Sequence, residues 1–159
     1  MKVGVIPFRL KKDRFEICLI KSRTKPKQMT FPKGMVKRRE AWEDAALREL
    51  FEEAGCRGNI LMRRMPLLLS PRKMPEESCV FFWCEIDEVL KSWPEKKQRE
   101  RIWHTIGADM DFRLTRNARK IYRELLDLGL DQDNPKVVTA ENWLRQRLDG
   151  HGSRGRLSA

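Results

Sequence analysis

Residues 34–56 read GMVKRREAWEDAALRELFEEAGC, and their spacing decides the fold. Gly34 is followed after five residues by Glu40, after seven more by Arg48-Glu49, then by Glu52-Glu53 and Gly55. At about 100° per residue, a helix puts Glu49, Glu52 and Glu53 on one stripe. Leu47, Leu50, Phe51 and Ala54 fall on the opposite side, so one face is built for burial and the other concentrates negative charge. Like charges at that spacing repel. The usual reason to hold them together is a hard divalent cation, which takes oxygen ligands. As ordinary helix chemistry, Arg48 would instead bridge Asp44 or Glu52, four residues away on either side.

Outward from this segment the chain alternates strands and helices. Residues 2–9 and 14–21 predict strands through Val3, Val5, Phe8, Phe15, Ile17, Leu19 and Ile20, with Lys11-Lys12-Asp13 as the turn. Residues 22–30 read as a polar, basic loop, and Thr30-Phe31-Pro32-Lys33-Gly34 as an extended lead-in. A loop over 35–40 is followed by a helix at about 41–54, closed by Gly55 as its C-terminal cap. Two longer strands are expected at 59–70 and 77–87, joined by a loop at 71–75. A strand or extended segment follows at 99–105, then helices at about 115–128 and 139–148. Residues 149–159 read as a disordered tail. Mixed strands with interspersed helices imply one α/β domain over 1–148. Met29, Phe31, Phe81, Phe82 and Trp83 read as core, with the lining of a pocket as the alternative.

With 159 residues, the chain is long enough to bury a sizeable core. No apolar run reaches the length of a membrane helix. MKVGVIPFRL lacks the long apolar segment and cleavage site of a secretory signal. Cys18, Cys56, Cys79 and Cys84 form no close-spaced metal-binding pair, and three of them sit in apolar runs. They read as free thiols of a reducing cytoplasm rather than disulfides or a zinc site. The net charge of +11 is uneven: residues 1–39 hold thirteen Lys or Arg against Asp13 and Glu16, and the remainder balances to zero. The bland reading is a solvated face. The functional one is an electropositive wall that focuses anionic substrates beside a metal site.

The register of Gly34, Glu40, Arg48, Glu49, Leu50, Glu52, Glu53 and Gly55 resembles the Nudix box throughout. Cys56 alone departs, standing where an aliphatic residue is usual, and Cys behaves as a small buried hydrophobe. The resemblance implies a Nudix hydrolase: an α/β/α sandwich with a mixed, curved central sheet and a loop–helix–loop metal site. It implies Mg²⁺-dependent cleavage of a diphosphate linkage, with Mn²⁺ as a substitute. Glu52 and Glu53 would be direct metal ligands and Glu49 a ligand or base. Gly34 would supply a backbone carbonyl or a turn conformation that a side chain would block. Glu40 would support the box, and Arg48 would orient a glutamate by charge-assisted hydrogen bonding. The catalytic base stays open between a box glutamate and an acid of a later loop: Glu76, Glu77 or Glu100.

Pro32-Lys33-Gly34 resembles the Pro-Lys-Gly form of the box lead-in found in the diphosphoinositol polyphosphate and dinucleoside polyphosphate hydrolases. Residues 88–93 followed by 99–103 are similar to the same branch, more loosely. The implied partner is therefore an anionic polyphosphate small molecule. Lys21, Arg23, Lys33, Arg39 and Arg72, with Arg38 and Lys73 beside them, are candidates for its phosphates. Two alternatives remain. One is nucleotide-pool cleaning or removal of a 5′ pyrophosphate from RNA, by the same metal chemistry. The other is a non-catalytic Nudix-like module that binds a nucleotide or RNA; three clustered carboxylates argue against it. Family analogy offers a homodimer beside the monomer, and with no membrane-length apolar run no membrane partner is expected.

Overall fold

The computed structural model describes residues 1–62, 66–70, 72–73, 75 and 78–131, and the backbone of 156–158. In chain order the elements are β1 (Lys2–Lys11), β2 (Arg14–Lys21), β3 (Gln28–Thr30), β4 (Lys33–Met35) and helix α1 (Trp42–Glu49). A π-helical turn (Leu50–Ala54) continues α1, and β5 (Cys56–Ile60), β6 (Leu67–Ser70), β7 (Cys79–Val89) and β8 (Arg101–Thr105) follow. The described residues end with β9 (Arg113–Leu114), helix α2 (Arg116–Asp127) and β10 (Arg156–Ser158).

Among these residues one mixed sheet runs in the order β10-β6-β7-β1-β2-β3-β9, with β4 paired to β1, β5 to β7 and β8 to β2. The centre is the parallel pair β1–β7, registered from Lys2 opposite Cys79 to Phe8 opposite Glu85. β1 and β2 form an antiparallel hairpin in which Lys11 faces Arg14. The two loop residues, Lys12 and Asp13, both have positive φ, at 49° and 60°. That conformation matches the twist of a tight hairpin.

Successive side chains of a strand point to opposite faces. On one face Ile6, Phe8, Phe15, Ile17, Leu19, Phe81 and Trp83 form a core with Ala118, Ile121 and Leu125 of α2. On the other, Val3, Val5, Cys18, Ile20, Val80, Phe82 and Cys84 pack with Ala45, Ala46, Leu50 and Ala54. Helices cover both faces, which makes the architecture an α/β/α sandwich. Because both faces are buried, the central strands read as near-continuous apolar runs rather than alternating ones. Met29, Phe31, Phe81, Phe82 and Trp83 are all buried, as read for the core. Among the described residues no helix is long and apolar enough to cross a membrane.

Several boundaries differ from the sequence reading. The basic loop at 22–30 contains β3, a three-residue strand held by pairing with Ile20 and Lys21. The run read as one strand over 59–70 is two: β5 starts at Cys56, and β6 is separate. β5 carries little apolar signal, since Arg57 and Asn59 are exposed; it exists through antiparallel pairing with β7, with a register shift between Arg57 and Gly58. β9 has two residues and pairs in parallel with β3, too short to leave a pattern. The helix read at 139–148 lies outside the described residues. Within the segment read as a disordered tail, Arg156–Ser158 pair in parallel with Leu68–Ser70 of β6.

α2 falls almost where predicted, and what sets its bounds is local. Thr115 caps it, its Oγ1 accepting from the Ala118 N–H at 3.4 Å. Ala118, Ile121 and Leu125 recur on one face. Ile121 is fully buried and fastens α2 to the sheet. Ile121→Ala should lower unfolding free energy by about 2–5 kcal/mol, measured by denaturant titration with an unchanged m-value.

Candidate active site

One guanidinium organises the carboxylate segment. Arg48 grips Glu40 with both ends of its fork, Nε to Oε1 at 2.7 Å and Nη2 to Oε2 at 3.0 Å. Its Nη1 donates to Glu49 at 2.6 Å and to Glu52 at 3.2 Å, and Nη2 also donates to the Met35 carbonyl at 3.0 Å. The 35–40 loop is thereby tied to the helix that follows it. Glu40 also accepts the Lys37 N–H at 2.8 Å. Arg48 beside it, and then that N–H, hold its carboxyl down at about 2. Of the two simple helix bridges expected for Arg48, the one to Glu52 forms while Asp44 stays exposed.

The stripe of glutamates is less exposed than the helical wheel implies. Glu49 is 9% exposed and Glu53 4%, whereas Leu47 and Phe51 are only half-buried. The buried face is instead Ala45, Ala46, Leu50 and Ala54, with Glu49 and Glu53 at its border. The wider π turn at Leu50–Ala54 breaks the 100° spacing on which the wheel depends. Phe51 finds cover under Arg57, whose guanidinium carbon is 4.8 Å from the ring centre.

Glu53 is held at both oxygens. Oε2 accepts the Lys33 N–H at 3.0 Å, and Oε1 is paired with Arg99 Nη2. Burial pushes its carboxyl up to about 7, against the pull of Arg99 and the Lys33 N–H. Gly34 sits on β4 opposite Val3, and a Cβ built on it falls on the Glu49 carboxylate. Gly34 does not have positive φ. Its role here is close approach, which removes the turn conformation offered for it from sequence.

The β7–β8 loop closes over the far end of this helix. Arg99 is 8% exposed; its Nε donates to Glu95 Oε2 at 2.8 Å and its Nη1 to the Lys21 carbonyl at 3.1 Å. The Glu95 N–H donates to the Glu52 carbonyl at 3.0 Å, and Trp93 Nε1 to the Glu53 carbonyl at 3.2 Å. Arg101 Nη1 donates to the carbonyls of Ala54 at 2.8 Å and Gly55 at 3.1 Å. These are carbonyls that a helix end leaves without internal partners. Gly55 has φ 60°, and an added Cβ would stand 2.6 Å from the Trp93 ring. Glu95, Arg99 and Arg101 were not read as site residues; the loose similarity over 99–103 touched Arg99 and Arg101, and no signal pointed to Glu95.

The basic candidates divide. Lys33 is half-buried, its Nζ donating to Thr30 Oγ1 at 3.0 Å, and burial lowers its pKa. Lys21 lends its carbonyl to Arg99 and lines a cleft of about 540 Å³ with Met29, Glu100, His104 and Phe112. Arg23 lies 3.8 Å from Glu95 but is largely exposed, where such a pair contributes about 0–1 kcal/mol. Buried Arg99 is therefore what fixes Glu95. Arg38, Arg39, Arg72 and Lys73 are exposed and outside this network. Of the three loop acids considered as the base, Glu100 is exposed at the cleft, and Glu76 and Glu77 lie outside the described residues.

Among the described residues no three acidic, His or Cys side chains converge into a ready metal cage. Mg²⁺ does not require one, since it keeps several waters and takes one or two carboxylates plus substrate phosphate. Glu49, Glu52 and Glu53 supply hard oxygen donors along one turn, and Gly34 leaves room for the carboxylate of Glu49. This donor set fits an open site for a hard divalent ion.

The sequence model of the NUDIX domain matches residues 1–125. The chain belongs to the Nudix family. It is 37% identical over 117 residues to Nudix hydrolase 18, mitochondrial, of Arabidopsis thaliana, covering 69% of this chain and 66% of that one. It is 32% identical over 126 residues to Nudix hydrolase 12, mitochondrial, of the same plant, covering 65% and 61%. The chain thus spans just under two thirds of the length of these curated relatives. A Caenorhabditis elegans Ap4A hydrolase has the same fold, with TM-score 0.54 and 18% identity over 95% of this chain and 98% of that one. A MutT Nudix hydrolase of Burkholderia pseudomallei also has it, with TM-score 0.54 and 22% identity over 78% and 97%. Nudix hydrolases generally use divalent metal ions, in keeping with the donor set.

Gly34→Ala tests the Nudix site directly. It should leave unfolding cooperative but displace Glu49, weakening divalent-ion binding by at least about tenfold, measured by titration with Mn²⁺.

Proposed function

We propose that this chain is a Mg²⁺-dependent pyrophosphohydrolase that cleaves a diphosphate linkage in a polyphosphorylated small molecule. Dinucleoside polyphosphates and diphosphoinositol polyphosphates are the preferred substrates. The observation that carries this reading is the placement of Glu49, Glu52 and Glu53 on one turn, gripped by Arg48 and Arg99 beside the space left by Gly34.

Glu49, Glu52 and Glu53 would hold the cation. When bound it neutralises phosphate oxygens and lowers the pKa of a bound water, with Mn²⁺ as a substitute. The remaining work falls to the chain. Arg48 keeps Glu40, Glu49 and Glu52 in fixed directions. Lys33 places its backbone N–H on Glu53 and carries the basic lead-in up to the carboxylates. Glu49 acts as ligand or base, with Glu100 the alternative base among the described residues. Lys21 and Arg23 stand on the Arg99 and Glu95 side, where they extend positive charge toward the substrate's phosphates. The family's substrate range and the C. elegans neighbour named for Ap4A support dinucleoside polyphosphates as the first test. The four free, buried thiols fit the reducing cytoplasm in which we place the protein.

The test is product release from dinucleoside polyphosphates, diphosphoinositol polyphosphates, nucleoside triphosphates, nucleotide sugars and triphosphorylated RNA, with Mg²⁺ and with chelator. Turnover should require metal and be fastest on the first two classes. Preference for RNA or single nucleotides would remove the substrate assignment. Metal-independent binding of RNA without turnover would replace the enzyme with a binding module. Glu52→Gln and Glu53→Gln should each lower turnover by at least about 100-fold while the protein stays folded. Full activity in either would remove the metal assignment.

A further inference from the structure

Arg99 follows Glu53 by 46 residues in the chain, yet is packed against it in the interior. Three sides of its guanidinium are occupied. Nε reaches Glu95 Oε2 at 2.8 Å, Nη1 the Lys21 carbonyl at 3.1 Å, and Nη2 pairs with Glu53 Oε1. Glu95 is itself referenced to the box, because its N–H donates to the Glu52 carbonyl at 3.0 Å. Lys21 ends β2, so the fork is anchored to the sheet as well. The other Glu53 oxygen accepts the Lys33 N–H at 3.0 Å.

The carboxylate of Glu53 is therefore oriented at both oxygens by groups outside its own helix. Each carboxylate oxygen has two lone-pair directions. One direction on each oxygen is used by these bonds, and the second remains as acceptor capacity. A planar fork spanning three acceptors fixes a direction in space; a lysine ammonium, a compact point charge, cannot span them. Groups that orient a metal-binding side chain in this way commonly change metal affinity or activity by about 10–100-fold when removed.

We propose that Arg99 is the positioning residue of this carboxylate site: held by Glu95 and the Lys21 carbonyl, it sets the direction in which Glu53 meets a divalent cation. The inference rests on the metal-dependent reading above and extends it to the β7–β8 loop. The loop thus takes part in the site through Arg99 and Glu95.

The experiment is Mn²⁺ binding to the full chain, read from loss of the free aquo-ion's electron paramagnetic resonance signal. Wild type, Arg99→Met, Arg99→Lys and Glu95→Gln are compared, with thermal unfolding of each. Arg99→Met should bind Mn²⁺ about 10–100-fold more weakly while folded. Arg99→Lys should stay well short of wild type, and Glu95→Gln should shift in the same direction by a smaller factor. Unchanged or tighter binding in folded Arg99→Met overturns the proposal, as does a loss that only follows the unfolded fraction. If Arg99→Met does not fold, the other two variants decide, and unchanged binding in both overturns it. In turnover the variants should lower kcat with substrate KM held within about threefold. A raised KM at unchanged kcat makes Arg99 a substrate contact and overturns the positioning role. A wild type that binds Mn²⁺ but cleaves nothing removes the proposed function and leaves this inference standing.

Discussion

Four glutamates, Glu40, Glu49, Glu52 and Glu53, have to share one loop and barely two helical turns without driving them apart. Two guanidinium forks make this tolerable. Arg48 works from inside the segment and gathers three of the four, together with the Met35 carbonyl. Arg99 works from outside and holds the fourth. Charge-assisted hydrogen bonds of this kind are shorter and stronger than neutral ones. Their geometry also explains why both cations are arginines: each reaches several acceptors at once, which a lysine cannot do.

The rest of the structure serves that arrangement. The parallel pair β1–β7 gives a rigid floor, and β4 lies on β1 so that Gly34 and the Lys33 N–H face the two inner glutamates. The small residues Ala45, Ala46 and Ala54 set the helix close against that floor. At the other end, Trp93 and Arg101 take up backbone carbonyls of Glu53, Ala54 and Gly55, and Gly55 leaves the space the Trp93 ring fills. The turn that carries Glu52 and Glu53 is thus fixed at its start by the 35–40 loop and at its end by the β7–β8 loop.

Much of this was legible because the signals were local. The spacing from Gly34 to Gly55 named the helix, its cap and its family, and α2 lies close to its expected bounds, with its cap Thr115 and its apolar stripe both inside the segment. The hydrogen bonds of Arg48 to Glu40 and Glu49 could be anticipated because all three lie within the same segment. Arg99 could not be, because nothing near residue 99 indicates which residue packs against it from far earlier in the chain. The two-faced helical wheel also misled: it assumed an unbroken α-helix, whereas the π turn carries Glu53 into the interior and leaves Phe51 half-buried. β3, β9 and the start of β5 were missed for a related reason. They are short or polar, and they exist through pairing partners rather than through their own pattern.

The most direct test of the central claim is a crystal structure of the full chain soaked in Mn²⁺, with anomalous differences collected to locate the ion. The expected result is a peak coordinated by carboxylates of the Glu49, Glu52 and Glu53 stripe, with Arg48 still bound to Glu40. A well-occupied peak elsewhere on the chain, with these three glutamates unmoved and unligated, would contradict it.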